Sequence, residues 1–356
     1  MRDLAPMARF GDLVASDLRD VTADLDALDS SGFWAVAADF DGRTVCARFG
    51  DVRKAPVGRG PLPPAEPWRG PDPDTWTSSM DREAYVAGVR EIRDRIATGE
   101  VYQVNLCRVL TAPLDAAADI DALTGVLAHG NPAPYAGTIR LPAHGVEIAT
   151  ASPELFLRRD GSTVESGPIK GTARTADELL AKDYAENVMI VDLVRNDLGQ
   201  VCATGSVTVP ALCAVEPHPG LVHLVSTVSG ELRPGASWPE LFAAAFPPGS
   251  VTGAPKSSAL RIIDELERAP RGPYCGGIGW VDADRRTGEL AVGIRTFWID
   301  RTGEARGTGP RLCFGTGAGI TWGSDPEGEW AETELKAARL LAVASGVHET
   351  SGRILR

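Results

Sequence analysis

The 356-residue sequence has no apolar run long enough to span a bilayer. Its first residues lack the apolar core of a signal peptide. No Cys-x-x-Cys pair occurs. The six cysteines (Cys46, Cys107, Cys202, Cys213, Cys275, Cys313) are scattered, mostly inside apolar runs, as in reduced core residues of a cytoplasmic protein. Positive charge is also short, with 36 Lys and Arg against 48 Asp and Glu and a net charge of −12. This argues against nucleic acid as a main partner, because phosphate binding needs a basic face. There is no internal repeat, and no glutaminase elbow with a nucleophilic Cys in a Gly-rich turn. What remains is an ordinary globular composition, 43% hydrophobic and 24% charged. The acidic balance implies that any anionic substrate must be gripped by local cations or a metal, against the global field.

The pattern along the chain divides it into a short N-terminal segment (1–53), a Pro/Gly/Trp-rich linker or wrapping loop (54–79) and a main body (80–356). The first segment holds an acidic amphipathic stretch, Asp12–Leu28. A strand over Gly32–Phe40, a hairpin turn at Asp41-Gly42 and a return strand over Val45–Phe49 follow. The main body opens with Asp81 as N-cap of a helix that Gly99 stops. Strands are predicted over Val101–Leu110, Ala136–Leu141, Val146–Ala151, Leu155–Arg159 and Thr163–Ser166, then a loop carrying Lys170. A helix over Glu178–Asn196 buries Val188, Ile190, Val191 and Val194. Val207–Val209 and Leu221–Val228 read as strands, and Trp238–Phe246 and Ser257–Arg268 as helices flanking the loop Pro247–Lys256. Strands return at Tyr274–Val281, Leu290–Ile299 and Arg311–Gly315, followed by a glycine-rich turn, Gly315–Gly319, and a last helix, Glu329–Ala344. Strands in hairpin order with interspersed helices predict an α+β fold with large antiparallel sheets.

Several residues carry candidate chemistry. Lys170, in Pro-Ile-Lys-Gly-Thr, alone reads as a solvated charge in a turn. Asp183 and Glu186 lie three apart on one helix face, and Glu329 and Glu332 repeat that spacing. Two such pairs could converge on a hard divalent cation, or could be ordinary solvated faces. Lys336, one turn after Glu332, fits a salt bridge or a substrate clamp. Arg295, in an apolar strand, needs an anion, from substrate or from the protein. His223 reads as a satisfied core histidine, and Glu154 as a strand-end residue or, if buried, a general acid or base. Gly249–Lys256 has the wrong spacing for a phosphate-binding P-loop. Gly315-Thr-Gly-Ala-Gly319 does not fit a dinucleotide fingerprint, though its N–H groups could hold an anion.

Five motifs occur together and in order: Ala151-Ser-Pro-Glu-Leu-Phe156, Pro168-Ile-Lys-Gly-Thr172, Ala185-Glu-Asn-Val-Met-Ile-Val-Asp-Leu-Val-Arg-Asn-Asp-Leu198, Gly249-Ser-Val-Thr-Gly-Ala-Pro-Lys256, and Gly317-Ala-Gly-Ile320 with Ala331-Glu-Thr333. Over Asp81–Val343 the sequence thereby resembles the chorismate-utilising enzymes: component I of anthranilate synthase and of aminodeoxychorismate synthase, isochorismate synthase and salicylate synthase. The resemblance implies antiparallel sheets packed as a sandwich with helices outside. It implies that Mg²⁺ holds the ring carboxylate of chorismate, with Glu186 and Glu332 as direct ligands and Asp183 and Glu329 in support. Arg295, Lys336, Tyr274 and the amides around Gly317 would hold the enolpyruvyl carboxylate, and Gly171, Thr172, Thr252 and His223 would line the ring pocket. Gln103 stands where the water-adding members resemble one another in having a lysine base. Lys170 matches the Pro-Ile-Lys-Gly-Thr of aminodeoxychorismate synthases, where anthranilate synthases have alanine. The implied activity is attack by Lys170 on C2 of chorismate with Glu154 as general acid, then addition of ammonia from a glutamine amidotransferase subunit. The product, 4-amino-4-deoxychorismate, leads to para-aminobenzoate and folate. The region ahead of Asp81 is shorter than in typical members, and Leu28-Asp-Ser30 is similar to their tryptophan-binding segment.

Overall fold

The structure, a computed structural model, describes residues 4–55, 67–218, 221–304 and 307–347. In chain order its elements are β1 (Met7–Phe10), β2 (Leu13–Thr22), β3 (Phe33–Ala38), β4 (Thr44–Lys54), β5 (Thr77–Ser78), α1 (Arg82–Ala97), β6 (Gln103–Pro113), α2 (Ile120–Gly130), β7 (Tyr135–Leu141), β8 (Val146–Ser152), β9 (Leu155–Asp160), β10 (Thr163–Gly167) and β11 (Ile169–Ala173). There follow α3 (Ala181–Gly199), β12 (Thr208–His218), β13 (Leu221–Glu231), α4 (Trp238–Ala245), β14 (Gly253–Ala254), α5 (Lys256–Leu266), β15 (Gly277–Asp282), β16 (Thr287–Val292), β17 (Thr296–Asp300), β18 (Arg311–Ile320) and α6 (Pro326–Ala344).

All described strand pairings are antiparallel. One path runs from β6 through β18, β17, β8 and β7 to β1 and β2. It continues through β4, β3, β15, β16, β9, β10 and β13 to the edge strand β12. β11 also pairs with β13, and β5 and β14 with β6. The path folds back on itself. Leu106 and Ala318 from its first half share one buried cluster with Trp34, Val36, Leu157 and Val228 from its second. The architecture is thus α+β, with large antiparallel sheets face to face and helices outside. A second cluster packs Leu110, Phe297 and Phe314 under Leu123 of α2 and Leu340 of α6. Each fully buried side chain of this size contributes roughly 1.5–3 kcal/mol.

Local chemistry explains the helix that sequence placed best. The Asp81 carboxylate accepts the Ala84 N–H at 2.8 Å at the start of α1, and Gly99 closes its end at φ +80°. On α6, the Asp325 carboxylate accepts the Gly328 N–H at 2.8 Å, with Pro326 in the first turn. The far end of α6 is tied by Trp68, whose indole N–H donates to the Ala344 carbonyl at 2.6 Å. Of the expected wrapping loop, residues 56–66 lie outside the described residues.

Five expectations need correction. The Asp12–Leu28 stretch is strand β2 followed by a 3-10 turn, Leu25–Asp29. Lys170 lies within strand β11, not in a loop. Gly315–Gly319 is no turn but the second half of β18, which runs unbroken to Ile320 along β6. The long strand over Leu290–Ile299 is two strands, β16 and β17, broken at Gly293–Arg295, where Arg295 takes φ +51°. Val188 is exposed on α3, whereas Ile190, Val191 and Val194 are buried as predicted. β1 and α2 had no counterpart in the sequence reading.

Candidate active site

The site is built over β18. In its pairing with β6, Gly319 faces Asn105 and Gly317 faces Cys107. The N–H groups of Asn105 and Cys107 point the other way, to the Thr252 carbonyl (2.8 Å) and the Glu267 carboxylate (2.8 Å). In an antiparallel ladder such pairs turn their N–H and C=O groups away from each other. The Gly317 and Gly319 amides therefore face the open edge of β18, beyond Phe314 where β17 stops. At that edge the Lys336 ammonium donates to the Gly317 carbonyl at 3.1 Å and pairs with Glu332 at 2.6 Å. The anion-holding idea for these amides thus stands on a strand edge rather than a turn.

The absence of a side chain at Gly319 leaves a small polar meeting point. Gln103 Nε2, Asn105 Oδ1 and Lys170 Nζ lie 2.7, 3.0 and 3.0 Å from where a Cβ would stand. Gln103 is fully buried, and among the described residues neither its amide oxygen nor its nitrogen has a hydrogen-bond partner; nor has Asn105 Oδ1. Buried amides are normally hydrogen-bonded, so these polar atoms are available to a bound water or a ligand. Sequence reasoning had no role for Asn105, although Gln103 and Asn105 share one face of a strand by the period of two.

Lys170 stands among charges. Burial lowers the pKa of its amine and the Lys336 ammonium lowers it further, while Glu186, Glu154 and Glu332 act in the opposite sense. Among the described residues none of these carboxylates is within ion-pair distance of the amine. Glu154 is 4% exposed, and burial pushes its carboxyl up to about 7 against hydrogen bonds from Ser250 and the Ile169 N–H and the charge of Lys170. Behind it a cavity of about 20 Å³ touches Pro168, Asp197 and Ser250, room for about one water. The loop that carries Ser250 is anchored by Lys256, which pairs with the buried Asp197 of α3 at 2.9 Å and donates to the Ala245 carbonyl at 3.1 Å. Ser250 and this anchor were not assigned from sequence. A roomier cleft of about 630 Å³, between the Asp41-Gly42 turn and α5, contains none of the predicted site residues.

A second group runs Thr172, His223, Arg295. The Thr172 hydroxyl is 2.8 Å from His223 Nδ1, and Arg295 Nη2 is 3.4 Å from His223 Nε2. Burial, and then the neighbouring Arg339, lower the pKa of Arg295. Among the described residues Arg295 has a side-chain hydrogen-bond contact with His223 and no carboxylate within ion-pair distance.

The acidic pairs converge only in part. Burial raises the pKa of Glu186, with Asp183 and Glu332 adding to the rise, and burial likewise raises that of Glu329, with Glu332 adding. For Glu332 burial acts upward too, but the Lys336 ammonium overrides it and the pKa falls. Asp183 is engaged as a cap, accepting the Leu180 N–H at 2.8 Å. Among the described residues no three His, Cys, Asp or Glu side chains form a ready cage for a metal ion. Mg²⁺ asks for less: one or two carboxylates, with water and ligand oxygens for the rest. Glu332 of α6 is near enough to Glu186 of α3 for its charge to raise the pKa of Glu186, so two carboxylates of the kind Mg²⁺ would need share one neighbourhood.

The other predicted residues are placed as follows. Gly171 has φ +90°, and a Cβ there would come within 2.9 Å of Asp183 Cβ, so only glycine lets β11 approach α3 this closely. Thr252 is buried, its hydroxyl donating to the Pro248 carbonyl at 2.8 Å. Tyr274 is packed into the core against Gly315, beside Cys107 and Cys275, and is not brought to Arg295 or Lys336 by any described hydrogen bond. Asp29 of the Leu28-Asp-Ser30 segment is committed to protein partners, the Trp238 N–H (2.7 Å) and Arg159 (3.3 Å).

The sequence pattern described as chorismate binding enzyme matches residues 19–342. The chain is 39% identical over 296 residues to anthranilate synthase component 1 1 of Haloarcula marismortui, covering 79% of this chain and 57% of that protein. It is 38% identical over 278 residues to aminodeoxychorismate synthase component 1 of Escherichia coli, covering 75% of this chain and 58% of that protein. The chain thus spans less than two thirds of either relative, and their names differ in product. Among solved structures, a 2,3-dihydroxybenzoate-specific isochorismate synthase of Bacillus anthracis matches with a TM-score of 0.78 at 25% identity, covering 97% of this chain and 96% of that one.

Proposed function

The chain belongs to the chorismate-binding enzymes, and from that premise we propose that it is the synthase component that aminates chorismate to 4-amino-4-deoxychorismate. The observation that carries this reading is the amine of Lys170, part-buried, with no carboxylate in ion-pair distance among the described residues, and held over Gly319 beside Gln103 and Asn105.

Arg295 and the Lys336 edge of β18 would take the enolpyruvyl carboxylate, leaving the ring over Gly319. When bound by Glu186 and Glu332, Mg²⁺ would neutralise the ring carboxylate. The neutral Lys170 amine attacks C2, both ring double bonds shift one position toward C4, and the C4–oxygen bond breaks, the hydroxyl leaving as water with the proton of Glu154. Ammonia then adds at C4, both double bonds shift back, and the C2–nitrogen bond to Lys170 breaks. Glu154 is protonated near neutrality because of its burial, as the first half needs, and its carboxylate can take a proton from the incoming ammonia in the second. Gln103 cannot deprotonate water, which disfavours addition of water at C2. Ammonia would come from a glutamine amidotransferase partner. Action in the cytoplasm is supported by six cysteines that are all free.

The experiment is product analysis by chromatography with chorismate, Mg²⁺ and ammonia. The proposal expects 4-amino-4-deoxychorismate, and its loss in Lys170→Ala. Anthranilate as the product, with Lys170→Ala still active, would refute it and favour the reading that the Haloarcula relative's name suggests.

A further inference from the structure

Lys170 sits where two ladders lose register. β11 pairs with β13 at Ile169 with Val225 and at Thr172 with His223, so Lys170 and Gly171 together face only Leu224. On the other side of β13, β12 slips between Ala211 and Ala214, so Leu212 and Cys213 face only Ser226, and Cys213 takes φ +52°. Bulges of this kind leave backbone groups without ladder partners, and buried ones must find others.

A single side chain from α3 serves both irregularities. Asn187, 1% exposed, donates through Nδ2 to the Leu224 carbonyl at 3.0 Å and to the Lys170 carbonyl at 3.4 Å. Its Oδ1 accepts the Ser226 hydroxyl at 2.5 Å and the Cys213 thiol at 3.6 Å. Ser226 in turn accepts the Cys213 N–H at 2.8 Å. Carbonyls only accept, so the amide nitrogen must face Lys170 and Leu224. The amide orientation is therefore fixed by chemistry from both ends, and the fixed amide is one residue from Glu186.

We infer that Asn187 is a positioning residue: its amide stands in for the missing rungs of the β11–β13 ladder and holds the Lys170 backbone so that the ε-amine stays over Gly319, in register with the Glu186 helix. The catalytic part of this inference rests on the proposed nucleophilic role of Lys170; the structural part does not.

Two variants test it, Asn187→Ala and Ser226→Ala. The first reading needs no substrate. Apo protein is reductively methylated at fixed pH with formaldehyde and cyanoborohydride, and labelling of Lys170 is followed by peptide mass spectrometry against the exposed Lys54. Asn187→Ala should label Lys170 severalfold faster, as the shielded amine is released, and Ser226→Ala should do so to a smaller degree. The second reading is turnover: a slip on the scale of an ångström in a reacting group costs about a hundredfold in rate. That loss should fall on kcat for Asn187→Ala, with KM for chorismate little changed. A folded Asn187→Ala with unaltered labelling and kcat overturns the inference, as does a kcat loss recovered by raising Mg²⁺, which would put the effect on Glu186. Should Asn187→Ala not fold, Ser226→Ala decides by the same two readings. If wild-type protein forms no Lys170 adduct with chorismate, the nucleophile proposal fails, while the substrate-free labelling still decides whether Asn187 holds Lys170.

Discussion

Replacing Glu154 by Gln should make the protein more stable and less active, and both effects can be sized from its surroundings. Glutamine keeps the shape of the side chain and an oxygen for the Ser250 hydroxyl and the Ile169 N–H, but cannot ionise or donate a carboxyl proton. In the folded protein the carboxyl is pushed up from 4.5 to about 7. A raised folded-state value means stability that is present below pH 4.5, declines as pH rises, and is lost above about 7. That gap corresponds to about 3 kcal/mol of penalty on the charged form. Wild type and Glu154→Gln should therefore unfold alike at pH 4. The variant should gain steadily up to pH 7 and hold an advantage of up to about 3 kcal/mol at pH 8. Urea unfolding across that range measures the difference directly. Loss of the general acid should lower kcat by roughly 10²- to 10⁴-fold, and the wild-type kcat should itself fall above pH 7, where the acid ionises. Stability curves that run parallel across the range would refute the burial argument. Undiminished turnover in the variant would refute the acid role.

Three further outcomes follow from the same geometry. Gly319→Ala needs no left-handed backbone, but its methyl would stand 2.7–3.0 Å from Gln103, Asn105 and Lys170; turnover should fall at least about tenfold, roughly 1.4 kcal/mol of barrier, with thermal stability nearly unchanged, as steady-state kinetics and a melting curve will check. Lys256→Met strands the buried Asp197 carboxylate and should cost about 3–5 kcal/mol in denaturant unfolding, much of it recovered by adding Asp197→Asn. Arg295→Gln removes a cation with no carboxylate in ion-pair distance among the described residues; KM for chorismate should rise more than tenfold, from loss of a charged hydrogen bond worth about 1.5–3 kcal/mol, and an unchanged KM would exclude it from substrate binding.

How far the sequence could be read depended on whether a local signal matched a local cause. α1 was legible because its cap, its 3.6-residue period and its closing glycine are all local. The carboxylate pairs were legible for the same reason. Gly315–Gly319 was misread because glycines at every second position look like turn residues, whereas here they are needed by what lies across them: the Tyr274 ring, the Cys107 sulfur and the Gln103–Asn105–Lys170 meeting point. Lys170 was misread for a related reason, since the glycine beside it serves the approach of α3 rather than a loop. Asn105, Asn187 and Ser250 carried no signal in isolation. Their roles arise from partners such as Lys170, 17 positions from Asn187, and Gly319, 214 from Asn105, which periodicity cannot report. Tyr274 shows the converse, a residue that the motif draws toward a ligand and that stands buried in this structure, 6% exposed.

The alternating glycines of β18 have a consequence for how such a catalyst can change over evolutionary time. A strand without side chains on one face imposes no shape of its own, so the contour of the cavity is written entirely by the opposing wall. Gln103 and Lys170, which reach the same bare spot from different strands, can then be exchanged for other residues without a compensating change beneath them. New reaction outcomes become accessible through single replacements on that wall, while Gly317 and Gly319 stay fixed as a common base on which many chemistries can be tried.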